Sequence, residues 1–182
     1  FNFYGVTLKI SPETPEALAT LNWLKEDFKY FLTTAQFDKP QLDFFISSNA
    51  APSGFSKNLP KLFSTKMCTA YGWGQRRVCD YGDGTAILSD NFNKQRLFKV
   101  YSRDSDLLYE ICFTRLMSAI GEALDKLGYH RVHAMAFEHK AQTFLCVLPQ
   151  HGGKSALSLL LSARADVSLF SDENPLLTDR SV

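Results

Sequence analysis

The chain has 182 residues, is 45% hydrophobic and 13% aromatic, and sets 20 Lys+Arg against 19 Asp+Glu for a formal charge of +1. That length and apolar content suit one globular domain with a real core, or two small ones. The near balance of charge excludes an electrostatic argument for nucleic acid or an anionic membrane, and no apolar run reaches the roughly 18 residues of a spanning helix. Phe1 is not an initiator Met, so the lack of a recognisable leader carries no weight.

Phe1–Ile10 alternates loosely and reads as a first strand. Thr14-Pro15-Glu16 reads as a helix start, with Thr14 as N-cap, and Leu18, Leu21, Leu24, Phe28 and Phe31 supply a helical stripe. Asp38-Lys39-Pro40 breaks that stripe. Leu42–Ile46 reads as a strand, and Ser47–Pro60, with Asn49, Pro52, Gly54 and Pro60, as a loop.

Lys66–Trp73, Arg76–Tyr81, Thr85–Ser89 and Arg96–Ser102 read as short strands, with Gly82-Asp83-Gly84 as a hairpin turn. Arg76 and Arg77 have the charge to touch a phosphate, but on a strand they read first as solvated. A long helix follows from the Ser102–Asp106 region, with an apolar face from Leu108 to Leu127 and a stop at Gly128. Tyr129–Phe137 reads as one strand, which would point His130 and His133 to opposite faces and argues against a shared metal. Cys68, Cys79, Cys112 and Cys146 form no Cys-x-x-Cys pair, so zinc is not expected. Thiols without such spacing suit a reducing, cytoplasmic setting. The domain division expected from this pattern is an α+β N-terminal domain over 1–103 and a second domain over 104–182.

The chemistry gathers in Thr143-Phe-Leu-Cys-Val-Leu148-Pro149-Gln150-His151-Gly152-Gly153-Lys154-Ser155, followed by an Ala- and Leu-rich run. This reads as strand, loop and helix, the context a phosphate-binding loop requires. Amide groups at a helix start point outward unpaired and suit phosphate oxygens, and glycine lets the backbone come close. Lys154 would reach the β- and γ-phosphates, and the Ser155 hydroxyl would ligate Mg²⁺. Leu148 stands where the full pattern has Gly, and an ordinary strand-to-helix turn is the competing reading. Asp166–Ser171 reads as a further strand ending in Asp172-Glu173, where an acid commonly holds Mg²⁺ or its waters. The same residues, with Asn174-Pro175, also make good turn chemistry. The two strands are expected side by side in one sheet, with the helix crossing between them.

These pieces resemble the nucleotide core of the HPr kinase/phosphorylase family, which shares a fold with phosphoenolpyruvate carboxykinases. The resemblance rests on Leu148-Pro149, Gly153-Lys154-Ser155, Ser171-Asp172-Glu173 and His133-Ala-x-Ala, and covers roughly residues 128–180. His151 and Glu173 depart from the usual residues, a small one and a second Asp. The resemblance implies an α/β P-loop fold that continues beyond Val182, and transfer of the ATP γ-phosphoryl group to a hydroxyl of a protein, peptide or small molecule. It implies ATP and Mg²⁺ as cofactors. The catalytic residues would be Asp172 as base, Lys154 and His133; Gln150, His151, Gly152, Gly153, Lys154 and Ser155 would hold phosphates; Ser155 and Glu173 would hold the metal. It leaves the acceptor unnamed and a homo-oligomer open. A non-catalytic nucleotide-binding or scaffold protein with a drifted loop, and an interaction domain in which Gly-Lys-Ser is incidental, are the alternatives.

Overall fold

The computed structural model describes residues 1–52, 59–73, 76–90, 96–149 and 152–178. The chain is mixed α/β and divides into two compact units, Phe1–Ile120 and Gly121–Val182, the division falling inside its longest helix.

The first unit is built on an eight-stranded mixed sheet. Its strands are β1 (Asn2–Phe3), β2 (Val6–Pro12), β3 (Leu42–Ser47), β4 (Lys61–Ser64), β5 (Thr69–Trp73), β6 (Arg76–Asp80), β7 (Gly84–Asp90) and β8 (Arg96–Ser102). Their order is β1-β2-β3-β8-β7-β6-β5-β4. β2, β3 and β8 run parallel, and β4 to β8 form an antiparallel meander. Helix α1 (Ala17–Asp27) connects β2 to β3, as a parallel pair requires. It buries Ala17, Leu21 and Leu24 together with Phe28 beyond its end, one stripe of the helical period. Helix α2 (Ser105–Lys126) opens with the Asp104 carboxylate accepting the amides of Asp106 and Leu107, and buries Leu108, Ile111, Cys112 and Leu116. Stacked rings, Phe44 on Phe98 at 4.1 Å and Phe28 on Phe113 at 5.6 Å, fill the layer between sheet and helices.

Several sequence expectations are corrected in this unit. Phe1–Ile10 is two strands joined by a turn at Tyr4-Gly5, both at positive φ. Thr14 does not cap α1: its hydroxyl accepts the Ser48 amide, 34 residues away, and the helix begins at Ala17. Leu18 points outward, 49% exposed. The strand expected over Lys66–Trp73 begins later, at Thr69: the Thr65 hydroxyl accepts the amides of Met67 and Cys68 in a turn, and β4, not expected from sequence, lies before that turn.

The second unit contains the end of α2, then β9 (Tyr129–Arg131), β10 (Met135–His139), β11 (Gln142–Cys146), α3 (Lys154–Ser162), β12 (Val167–Ser171) and β13 (Leu176–Thr178). Gly128, at φ 82°, ends α2 as its position implies. Three strands pair in the order β11-β10-β12, and β13 pairs with β9. The segment read as one strand from Tyr129 to Phe137 therefore breaks at Val132–Ala134, and its halves join different sheets. The two strands flanking α3 share a sheet but are not side by side: β10 lies between them, antiparallel to both, so β11 and β12 run parallel to each other. Ala134, Met135 and Ala136 are buried, whereas Leu159 and Leu160 on α3 are 74% and 70% exposed. No helix among the described residues is long and apolar enough to cross a membrane.

Candidate functional site

The loop between β11 and α3 owes its shape to two glycines, for different reasons. Gly153 sits at φ 86°, ψ 17°, immediately before the first helical residue, and a Cβ there would meet nothing within 4 Å. Its requirement is conformational, since the left-handed region costs other residues about 1–2 kcal/mol. Gly152 is needed for space: a Cβ would fall 2.8 Å from the Pro149 carbonyl oxygen and 3.1 Å from Leu148 Cβ. Its amide donates to that same Pro149 oxygen at 2.9 Å, closing the turn.

Helix α3 begins at Lys154 with no side-chain cap and no acidic residue in its first turn. Its leading amides therefore keep their positive character for a ligand. The Lys154 ammonium folds back across the loop and donates to the Leu148 carbonyl at 3.2 Å, half-buried. Leu148, where the pattern has glycine, thus offers its backbone oxygen as the resting partner of the loop's cation. Ser158 donates to the Ser155 carbonyl at 2.9 Å, so the first turns of the helix are held by a local bond.

On the other side stands a corner formed by two chain segments. β10 pairs with β12 and β9 pairs with β13, so residues 129–139 and 167–178 run antiparallel through both sheets. Where they pass from one sheet to the other, Ala134 donates to the Glu173 carbonyl at 3.0 Å and Val132 to the Pro175 carbonyl at 3.2 Å. The Ser171 hydroxyl accepts the amides of Glu173 and Asn174 at 3.3 and 3.0 Å, fixing the turn that carries the carboxylates. His133, Asp172 and Glu173 all lie on this corner and are exposed. His133 is therefore a corner residue and not a strand residue.

Loop and corner line a single cavity of about 630 Å³, bounded by His133, Gly152, Gly153, Lys154, Ser155, Ala156, Asp172 and Glu173. Of the residues singled out from sequence, Gln150 and His151 lie outside the described residues; the others meet here. Ala156 was missed, and Ser171, named from sequence beside Asp172 and Glu173, was given no role; the signal for its turn was a hydroxyl two residues before the Glu173 amide. The donor set is hard oxygen: one hydroxyl and two carboxylates beside a helix start. That chemistry fits Mg²⁺, which usually takes one or two carboxylates together with phosphate oxygens and water. Among the described residues no group of three His, Cys, Asp or Glu is arranged as a protein-only metal cage.

A larger cavity, about 770 Å³, lies in the first unit beside Asp80, Asp83, Arg103 and Asp104. Size does not make it the stronger candidate. The Asp80 carboxylate accepts the Gly82 amide and the Asp104 carboxylate caps α2, so two of its three carboxylates shape turns and helix starts. No protein-family model, curated protein or solved structure matches the chain.

Proposed function

We propose that the cavity of the second unit binds the phosphates of ATP with Mg²⁺, and that the protein is a kinase-like phosphotransferase resembling the HPr kinase family in this region. The observation that carries the proposal is the convergence, on one cavity, of a glycine-shaped loop, an uncapped helix start, Lys154, Ser155, two carboxylates and His133. In this reading the amides from Gly152 to Ala156 hold phosphate oxygens, and Lys154 leaves the Leu148 carbonyl to pair with them. Ser155 and Glu173 would hold the metal, which neutralises charge on the phosphates when bound. Asp172 takes the proton of the acceptor hydroxyl, and His133 stands beside it on the same corner. Phosphoryl transfer asks for positioning and charge neutralisation above all, and this set supplies both.

Two substitutions in the full-length protein test the reading. Lys154→Ala removes the side-chain cation of the loop and should weaken Mg·ATP binding about ten- to a hundredfold, the worth of a charge-assisted contact. Asp172→Asn keeps size but not basicity, so labelled-phosphate transfer should collapse while calorimetry still records binding. Unchanged affinity in Lys154→Ala would make the loop a bystander and favour an interaction domain. Binding without turnover in the unmodified protein, with any acceptor offered, would favour a non-catalytic nucleotide-binding scaffold.

A further inference from the structure

Two of the four cysteines meet on the helix-covered face of the first unit's sheet. Ala70 on β5 pairs with Cys79 on β6, and Thr69 pairs with Asp80. One step further along this register sets Cys68 opposite Tyr81 and diagonal to Cys79. Side chains alternate along a strand, so Cys68, Ala70, Cys79 and Tyr81 share a face. The row through Cys79 continues to Ala86 and Val100, and Gly84, on the same face as Ala86, lies against Ile111 and Leu107 of α2, which marks it as the helix-covered face. From α2, Arg115 Nε donates to the Tyr81 hydroxyl at 2.9 Å, and its guanidinium lies over the Tyr81 ring. The Cys79 thiol lies near enough to Cys68 and to the Arg115 guanidinium for both to act on its ionisation.

The two thiols differ in setting. Cys68 lies in the turn between β4 and β5, beside exposed Lys66 and Met67, with the Thr65 hydroxyl 3.9 Å from its sulfur. Cys79 lies within β6, and burial pushes its thiol up from the ordinary value. Cys112 is fully buried in α2, and Cys146 belongs to the other unit. A turn residue can move where a ladder residue cannot. Diagonal strand neighbours sit about 7–8 Å apart. That is slightly beyond the Cα separation of a relaxed disulfide, at most about 6.8 Å. A bond here forms only by drawing the turn inward, which gives a readily reduced link of the kind suited to switching.

We propose that Cys68 and Cys79 form a peroxide-sensitive dithiol site that closes to a reversible disulfide between the β4–β5 turn and β6. The Cys68 thiolate attacks one oxygen of a hydroperoxide. The O–O bond breaks, the departing oxygen leaves as water or alcohol with a solvent proton, and Cys68 becomes a sulfenic acid. The Cys79 sulfur then attacks that sulfur; an S–S bond forms, the S–O bond breaks, and water leaves carrying the Cys79 proton. The thiols lose two electrons and the peroxide gains them. Burial keeps Cys79 protonated through the first step, and Arg115 favours its thiolate in the second.

The test is titration of the reduced full chain with hydrogen peroxide, read by thiol count, intact mass and peptide mapping. Free thiols should fall from four to two, with loss of two hydrogens and a cross-link between the Cys68 and Cys79 peptides that dithiothreitol reverses. Cys79→Ser should stop at a Cys68 sulfenic acid, trapped by dimedone. Cys68→Ser should form neither product. Four thiols remaining after peroxide, a link through Cys112 or Cys146, or an exclusively intermolecular link would each overturn the proposal. Circular dichroism of both variants guards against misfolding, and wild-type mapping stands alone if either variant fails to fold.

Discussion

Replacing the paired glycines of the loop separates conformational strain from steric exclusion. Gly153→Ala puts a methyl into open space but keeps φ at 86°. The left-handed cost of about 1–2 kcal/mol is offset by about 0.4–1 kcal/mol from the less flexible unfolded chain. A net loss of about 0.5–1 kcal/mol follows, smaller for Gly153→Asn because Asn tolerates that region. Gly152→Ala forces a contact of 2.8 Å with a backbone oxygen that also holds the turn's hydrogen bond. Backbone must move, and overpacking of this kind costs about 1–3 kcal/mol. Gly152→Ala should therefore be the worse of the two.

The assay must report on the second unit. Trp23 and Trp73 both belong to the first, so fluorescence is blind here. Hydrogen exchange in peptides covering residues 142–171 reads the local opening instead. Calorimetry with Mg·ATP then asks whether loop distortion lowers affinity beyond the change in opening. If Gly153→Ala is more damaging than Gly152→Ala, or if neither alters exchange, the reasoning about this loop fails.

Phe44, fully buried and stacked on Phe98, should cost about 3–5 kcal/mol on truncation to Ala and clearly less as Leu, measured by urea unfolding of the first unit with Trp23 as reporter. Tyr109 donates to the Asp27 carboxylate, and its pKa is pushed up to about 12 chiefly by that bond. The folded value lies above the ordinary 10.0, so the bond's stabilisation is complete below about pH 10 and lost as pH rises through about 12. Burial also raises Tyr81 and Tyr101, so ultraviolet titration should show a late group of tyrosines whose Tyr109 component is lost in Tyr109→Phe and moves earlier in Asp27→Asn. Arg164 grips Asp166 through two bonds of 2.9 and 2.8 Å and holds its carboxyl below the ordinary value. This contribution is present above the unfolded value and lost as pH falls through the folded one, and Arg164→Gln should raise the Asp166 midpoint in a carbon-detected NMR titration.

Local chemistry was legible in the sequence wherever neighbours in the chain decide the structure. Gly82-Asp83-Gly84, the α2 stripe, the stop at Gly128 and the strand-loop-helix order around Lys154 all depend on residues within a turn or two. The errors fall where a distant partner wins. Thr14 has the chemistry of an N-cap, but its hydroxyl is taken by the Ser48 amide. Tyr129–Phe137 is apolar enough to read as one strand, yet the Ala134 and Val132 amides are satisfied by Glu173 and Pro175 carbonyls. Nothing between residues 129 and 137 encodes that capture.

The same capture bears on how a cavity forms from pieces so far apart in the chain. A continuous strand would have alternated the side chains of 130–137 between two faces, with no reason for His133 to face a loop that follows β11. The break releases His133 from that alternation. The backbone bonds on either side of it hold the break against the segment carrying Asp172 and Glu173. β10 lies between β11 and β12, so the end of β12 and the loop after β11 flank the start of β10, which follows the break. The cavity is thus assembled by backbone pairing, with its charged side chains left exposed and free of structural duty save for the bond from Lys154 to Leu148. Substitutions of Asp172 or His133 should then change ligand chemistry with little change in folding, whereas Ser171→Ala, which loosens the turn itself, should lower both the order of residues 171–174 and any affinity the cavity has.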